Sequence, residues 1–227
     1  MEREFWLEKW QADKPGFHQE KVNSRLKKYW KVIAQELKAN PELNGDIVFV
    51  PLCGSTIDMH WLTDNGFNVF GVEFSEIACE KYFIDNQIEF EELNHSSFKV
   101  FKGKRIELWQ GDFFDLNSLD LANVIAVYDR ASLIALPPAM RERYAQHLSM
   151  LLNPGCQILL ISMNYDESKM KGPPFSVDEE EVRNLFEENF SVQRIGCFSG
   201  PDTVGNLSDR GLDALTEKVY VMKRKPA

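Results

Sequence analysis

The chain has 227 residues, of which 44% are hydrophobic and 27% charged, and its formal net charge is −9. This composition is that of an ordinary globular domain, and the acidic balance argues against a phosphate-neutralising nucleic-acid surface. The longest apolar runs are too short to span a membrane, and Met1-Glu2-Arg3-Glu4 begins without an apolar signal core. We therefore expect a cytoplasmic monomer that binds neither nucleic acid nor membrane.

The first 41 residues form a helical addition to the rest of the chain. Residues 2–12 are expected to be helical, with Trp6 and Trp10 on one face, and Lys14-Pro15-Gly16 breaks the pattern. A longer apolar stripe at helical spacing then runs from Val22 to Leu37. Because both helices precede the first strand, we predict a single domain with residues 1–41 as a cover and residues 42–227 as an α/β core.

A β-turn-α-β unit follows between residues 46 and 73. Ile47 to Val50 has the pattern of a buried strand, and a turn with Gly54 leads into an amphipathic helix with Ile57, Trp61 and Leu62 on one side. The second strand ends in Glu73. A carboxylate at this point accepts hydrogen bonds from ribose hydroxyls in Rossmann-type nucleotide sites. The unit therefore predicts a nucleotide or nucleoside at the carboxyl ends of the strands.

The remainder of the chain alternates strands and helices until its end. Ser75 and either Ser176 or Asp178 are placed to cap helices, and residues 85–97 are polar enough to predict a loop. Two final strands lack a regular helix between them. The fold class is therefore α/β, a doubly wound, mainly parallel seven-stranded sheet with an antiparallel C-terminal edge and an N-terminal helical lid. The predicted strands are residues 98–101 and 106–109 (a hairpin), 124–127, 157–162, 191–196 and 218–223, and a helix is expected at 139–152.

The turn after the first strand restricts the ligand. Its sequence, Pro51-Leu52-Cys53-Gly54-Ser55-Thr56, holds one glycine, whereas dinucleotide cofactors need a glycine triplet at the pyrophosphate. The chain also lacks a phosphate-binding P-loop and any His, Cys or carboxylate spacing typical of a metal site. A nucleoside ligand without phosphates, such as S-adenosylmethionine, remains, and Asp112 with Phe113 stands where its adenine would lie.

Several uncommon motifs occur in order along nearly the whole chain. They are residues 10–19, Val50-Pro51-Leu52-Cys53-Gly54, Gly71-Val72-Glu73-Phe74-Ser75-Glu76, Tyr128-Asp129-Arg130-Ala131, Tyr144-Ala145 and Gly172-Pro173-Pro174-Phe175. Together they resemble the bacterial thiopurine S-methyltransferases. The resemblance implies a class I methyltransferase fold and methyl transfer from S-adenosylmethionine to the sulfur of a small-molecule thiol. It implies cofactor contacts at Trp10, Leu52, Gly54, Glu73, Asp112, Phe113 and Arg130, and an acceptor near Phe17, His18 and Arg130.

The chain departs from this family at two places. Ser55 stands where the family usually has lysine, which removes a charge near the expected cofactor carboxylate. Residues 200–209 match the family poorly, which leaves the acceptor preference open.

The expected chemistry gives each side chain a role and an alternative. Arg130 stays charged, so it is the candidate catalytic residue that stabilises a thiolate or orients the acceptor; its alternative is a salt bridge with Asp129 or another carboxylate. Phe17 is an apolar wall or core filling, and His18 is a hydrogen-bonding partner, a weak base or a structural histidine. Trp10 as an aromatic wall attracts a sulfonium cation.

Two other functions remain open on the sequence alone. In the first alternative, a protein with the same fold and cofactor methylates a selenium or tellurium species, a halide or a small aliphatic thiol. A nucleoside-binding protein without catalysis is the other alternative.

Overall fold

The computed structural model of the protein describes residues 3–12, 16, 19–39 and 45–226. The helices are α1 (Arg3–Gln11), α2 (Ser24–Ala39), α3 (Asp58–Asp64), α4 (Glu76–Asp85), α5 (Pro138–Leu151), α6 (Glu179–Phe186) and α7 (Pro201–Val204). The strands are β1 (Ile47–Pro51), β2 (Asn68–Glu73), β3 (Glu91–His95), β4 (Phe98–Lys102), β5 (Ile106–Gln110), β6 (Val124–Asp129), β7 (Gln157–Asn164), β8 (Phe190–Ser199) and β9 (Thr216–Arg224). Short 3-10 helices span Phe113–Asp115, Leu133–Ala135 and Gly205–Arg210.

One mixed sheet organises these elements, in the order β3-β4-β5-β2-β1-β6-β7-β9-β8. The central strands β5, β2, β1, β6 and β7 are parallel to one another, while β3 and β4 at one end and β9 and β8 at the other pair antiparallel. Because the central strands run the same way, the chain leaves β1, β2, β5 and β6 at a common edge. Ligands of open α/β sheets bind at this edge.

The predicted fold class is confirmed, with a correction to the strand number. In the described part of the chain the sheet has nine strands rather than seven; β4, which was predicted at residues 98–101, and β3, which was not predicted, extend it beyond β5. Residues 91–95 were predicted as loop, yet they form β3, and every residue of that strand is exposed. A strand with no buried face lacks the alternation by which strands are predicted from sequence.

The sheet separates two apolar layers, which explains why its central strands are apolar throughout. In β1, Phe49 packs into one layer, while Val48 and Val50 pack into the other. The two helix caps that the sequence predicted are present: Ser75 accepts a hydrogen bond from the backbone N–H of Ala78, and Asp178 accepts one from that of Glu181. These interactions fix where α4 and α6 begin.

Helix α3 faces the core differently from the prediction. Its buried residues are Asp58, Met59 and Leu62, whereas Ile57 precedes the helix and Trp61 is only half-buried. A charged side chain on the buried face is what the hydrophobic pattern could not anticipate. Asp58 is fully buried, and its partners are described below.

The N-terminal helices lie on the core. Helix α2 packs against β7, with Leu26, Trp30 and Ile33 buried, and α1 packs against α4. Trp10 of α1 is only 3% exposed. The division into a cover and a core within one domain stays a prediction.

Candidate functional site

The turn after β1 is shaped by two residues in the left-handed region of backbone conformation. Gly54 has φ 55°, which glycine adopts without strain, but Leu52 has φ 45°, which is unfavourable for a side chain with a Cβ. The backbone N–H of Cys53 donates to the Val72 carbonyl at 3.0 Å, which ties the turn to β2. A non-glycine residue held in this region by its surroundings is typical of ligand-binding turns.

Glu73 lies at the centre of this turn, at the carboxyl end of β2. The backbone N–H groups of Gly54 and Ser75 donate to its two carboxylate oxygens, each at 2.8 Å. Burial raises the pKa of the Glu73 carboxyl, and the hydrogen bonds from Ser75 and Gly54 partly offset that rise. Each carboxylate oxygen has a second lone pair, so Glu73 retains the capacity to accept hydrogen bonds from ligand hydroxyls.

An apolar cleft of about 480 Å³, including its open mouth, lies beside the turn. Phe113, Phe114, Leu136 and Met140 line it, and the exposed Asp112 stands at its rim. Asp112 accepts a hydrogen bond from the Phe114 backbone N–H at 2.9 Å, so its carboxylate caps the 3-10 helix that carries both phenylalanines. Apolar walls with a polar group at the rim suit a flat heterocyclic ring.

A second cleft, of about 390 Å³, lies between α1 and the turn. Trp6 and Trp10 line one side of it, and Glu73 lies on the other. Leu52 lines both clefts, so the two adjoin at the strained residue of the turn. The pair of clefts thus offers a carboxylate in the middle, an apolar slot on one side and tryptophan on the other.

Arg130 follows β6 and lines a third cleft, which also includes Leu52. Its side chain is 12% exposed, and its Nε lies 3.7 Å from Oδ2 of Asp58. Arg130 therefore does form the salt bridge with a carboxylate that was its alternative role. Its partner in that salt bridge is Asp58 rather than Asp129. Asp129 instead accepts hydrogen bonds from the Tyr144 hydroxyl at 2.7 Å and from the Ser132 backbone N–H at 3.1 Å.

Asp58 is a residue of the site that the sequence reasoning missed. Its Oδ2 accepts a hydrogen bond from the Tyr128 hydroxyl at 2.8 Å, and its Oδ1 accepts one from the Asn23 backbone N–H at 2.7 Å. Burial and then the charge of Asp58 raise the pKa of Tyr128 well above its ordinary value, so the tyrosine stays a hydrogen-bond donor. No local signal in the sequence points to Asp58, because the apolar pattern of the helix placed Ile57 and Trp61 on its buried face.

The structure brings together most of the predicted site residues. Trp10, Leu52, Gly54, Glu73, Asp112 and Phe113 surround the two adjoining clefts or form the turn between them, and Arg130 lies in the neighbouring cleft. Ser55 is buried in the same turn, at 3% exposure. Phe17 and His18 lie outside the described residues. The roles of all these side chains stay predictions.

The described residues also bear on two other kinds of site. None of their His, Cys, Asp and Glu side chains form a group of three that could hold a metal ion. In the same part of the chain, no helix is both long enough and apolar enough to cross a membrane.

The sequence matches known proteins along its whole length. The family model for thiopurine S-methyltransferase matches residues 1–225. The thiopurine S-methyltransferase of Pseudomonas fluorescens is 44% identical over 223 residues, which cover 97% of this chain and 98% of that protein. A probable thiopurine S-methyltransferase of Yarrowia lipolytica is 45% identical over 225 residues, covering 97% of this chain and 99% of that protein.

Solved structures share the fold at low sequence identity. A methyltransferase from Anabaena variabilis that depends on S-adenosylmethionine superposes with a TM-score of 0.62 at 15% identity, covering 98% of this chain and 95% of that one. Magnesium protoporphyrin IX methyltransferase from Synechocystis, with bound S-adenosylhomocysteine, gives 0.61 at 16% identity and covers 98% of both chains. The fold is therefore that of the Rossmann-like methyltransferases.

Proposed function

Since the chain belongs to the thiopurine S-methyltransferase family, we propose that it transfers a methyl group from S-adenosylmethionine to the sulfur of aromatic and heterocyclic thiols such as thiopurines. The observation that carries this proposal is the buried Glu73 carboxylate, held by the turn between an apolar cleft and a tryptophan-lined one. Family membership favours methyl transfer over a nucleoside-binding protein without catalysis.

The residues of the clefts fit this cofactor. Glu73 would accept hydrogen bonds from the ribose hydroxyls, and Phe113 with Phe114 would border the adenine, with Asp112 at its polar edge. Trp10 would lie against the sulfonium end, where an aromatic face attracts a cation. The single glycine of the turn suffices because this ligand has no pyrophosphate for the backbone to approach.

When bound, the cofactor supplies a sulfonium methyl group that a sulfur nucleophile takes by in-line displacement. The protein's part is to hold the two reactants aligned and to keep water out, because charge disappears as the new bond forms. Arg130 is permanently charged, and its position one cleft away from Glu73 suits it to orient the acceptor or to stabilise its thiolate. An aromatic thiol ionises readily, so a strong general base is not required.

Cofactor binding is the first experiment. Isothermal titration calorimetry with S-adenosylhomocysteine should show saturable binding to the unaltered protein, and Glu73→Ala should weaken it by roughly tenfold or more because the ribose acceptors are lost. The matched control is Glu76→Ala, three residues further on, at an exposed position of α4. Absence of binding to the unaltered protein would refute the proposal.

An acceptor panel tests the other half. Thiopurines, thiophenols, small aliphatic thiols, selenite, tellurite and iodide are compared at one saturating cofactor concentration. We expect turnover of the aromatic thiols to exceed that of the others. Methylation of selenium, tellurium or halide acceptors without any aromatic thiol would instead assign the alternative acceptor class.

We also propose that the protein is a monomer and that it is cytoplasmic. Size-exclusion chromatography tests whether it is a monomer.

A further inference from the structure

Asp58 is a buried carboxylate that has no role in the proposed reaction as described above. Its side chain is 1% exposed and forms an ion pair with Arg130, with 3.7 Å between Oδ2 and Nε. A buried carboxylate is costly unless it is paired and hydrogen-bonded. Such a group at the start of a helix beside a ligand cleft calls for a physical explanation.

Three parts of the chain fix the position of this carboxylate. The backbone N–H of Asn23, just before α2, donates to Oδ1 at 2.7 Å. The Tyr128 hydroxyl, on β6, donates to Oδ2 at 2.8 Å. The backbone N–H of Asp58 itself donates to the Thr56 hydroxyl at 3.3 Å, which links it to the turn after β1. The carboxylate is therefore set by backbone and by a buried tyrosine, and its rotation would break two hydrogen bonds.

Arg130 depends on its neighbours for its orientation: besides its ion pair with Asp58, it contacts the Tyr128 hydroxyl, which itself donates to Asp58. It comes directly after β6, beyond the last strand residue, and an arginine side chain has several rotatable bonds whose ordering costs free energy. An immobile negative charge beside Nε restricts the orientations of the guanidinium. Tyr128 and Arg130 are two residues apart on one segment, so Asp58 contacts this segment at two points.

We infer that Asp58 is a positioning residue, which holds the Arg130 guanidinium in the orientation that the acceptor thiol requires. This inference rests on the proposed function, because it takes Arg130 to face the acceptor. Asp58 itself touches neither reactant. Because Asp58 already restricts the Arg130 side chain, Arg130 loses less conformational entropy when the thiol binds.

A double-mutant cycle separates positioning from a general structural role. The variants are Asp58→Asn, which removes the charge but keeps the shape, Arg130→Gln, and the two combined. The measured quantity is the affinity of 6-mercaptopurine for protein saturated with S-adenosylhomocysteine, by calorimetry, so that no turnover is needed. Asp58→Asn should weaken thiol binding about fivefold or more when Arg130 is present and less than about twofold in the Arg130→Gln background.

Two controls accompany the cycle. Tyr128→Phe removes the hydroxyl that contacts both Asp58 and Arg130 but leaves the charge of Asp58 opposite Arg130, so its effect on thiol affinity should be smaller than that of Asp58→Asn. Asp64→Asn removes a carboxylate from the exposed end of α3 and should leave thiol affinity unchanged. Thermal unfolding of each variant shows that the proteins compared are folded.

The outcomes distinguish the inference from the proposed function. Equal losses from Asp58→Asn in both backgrounds would mean a structural role and would overturn the inference. An unchanged or tighter thiol affinity in Asp58→Asn would also overturn it, since this is what removal of a competing negative charge alone would produce. If the unaltered protein binds and methylates the thiol, the proposed function stands whichever of these results is obtained. If the unaltered protein binds no thiol, both fail.

Discussion

At the residue scale, Glu73 and Asp58 show what a sequence reveals about a site. Glu73 could be predicted because it ends an apolar strand about twenty residues after a turn, a position with a known physical role. Asp58 could not, because the apolar residues of α3 suggested a face that includes Ile57 and Trp61 rather than the one that is buried. The partner of a buried charge is a tertiary contact, here 72 residues away at Arg130, and no local pattern encodes it.

The raised pKa of Glu73 predicts a pH dependence of cofactor binding. Ligand hydroxyls favour the ionised carboxylate, so binding should weaken as the pH falls through the pKa of the free protein. Because burial raises that pKa, the loss should begin at a higher pH than for an ordinary glutamate. Calorimetry with S-adenosylhomocysteine from pH 8 down to pH 5 measures it. Glu73→Gln cannot ionise and should show a flatter profile; an identical slope in both proteins would contradict the prediction.

Tyr144 should contribute to stability through Asp129. Burial raises the pKa of the Asp129 carboxyl, and the Tyr144 hydroxyl donates to it at 2.7 Å, which favours the ionised form. Tyr144→Phe should therefore lower the free energy of unfolding by about 1–3 kcal/mol at neutral pH. The loss should shrink on acidification, as Asp129 becomes protonated and no longer needs the donor.

Urea unfolding at pH 7.5 and pH 5 measures this difference. The matched control is Tyr82→Phe, because Tyr82 is also fully buried but its hydroxyl has no hydrogen-bond partner in the described part of the chain. Its effect should be small and independent of pH. A pH-independent loss for Tyr144→Phe would show that the hydroxyl does not act through the carboxylate.

At the scale of elements, the central strands and the capped helices could be predicted, and the edge strand β3 could not. The central strands are buried on both faces, so their apolar runs identify them directly. Strand β3 is polar and exposed, and only its pairing with β4 makes it a strand. An element defined by a neighbour's hydrogen bonds leaves little trace in its own sequence.

Gly71 of β2 packs closely against the turn after β1, so a larger residue at this position should disturb that turn. A Cβ at this position would lie 2.6 Å from Cδ2 of Leu108 and 2.8 Å from Sγ of Cys53. Gly71→Ala should therefore destabilise the fold by about 1–3 kcal/mol through overpacking. Since Cys53 belongs to the turn that holds Glu73, the same change should weaken binding of S-adenosylhomocysteine.

The control for Gly71→Ala lies next to it. Val72→Ala removes buried methyl groups from the same strand and creates no clash, so it should lower stability without a matching loss of cofactor affinity. Denaturation and calorimetry on both variants give the comparison. Equal losses of affinity would indicate that any destabilised β2 disturbs the turn.

At the scale of the whole molecule, helix α1 lies beside the cleft at the edge where the central strands end, while α2 packs on the sheet against β7. Trp10 is nearly buried and lines the same cleft as Glu73, so α1 and the core share one site. The sequence suggested this arrangement because an addition before β1 has the carboxyl edge within reach. The acceptor contacts expected at Phe17 and His18 lie outside the described residues and stay predictions.

This arrangement predicts that ligand binding closes the cover. If α1 must open to release the ligand, its opening free energy rises with occupancy, by about 2.7 kcal/mol when free ligand is at 100 times its Kd. Amide hydrogen exchange in Arg3–Gln11 should therefore slow by up to about a hundredfold in saturating S-adenosylhomocysteine. Exchange in β8, at the far end of the sheet, is the internal control and should slow much less.

Trp10→Ala should reduce both the protection of α1 and the affinity for S-adenosylhomocysteine, because the tryptophan joins the helix to the cleft. Equal slowing in α1 and β8 would show that the ligand only stabilises the fold as a whole, and α1 would then not be a cover that opens.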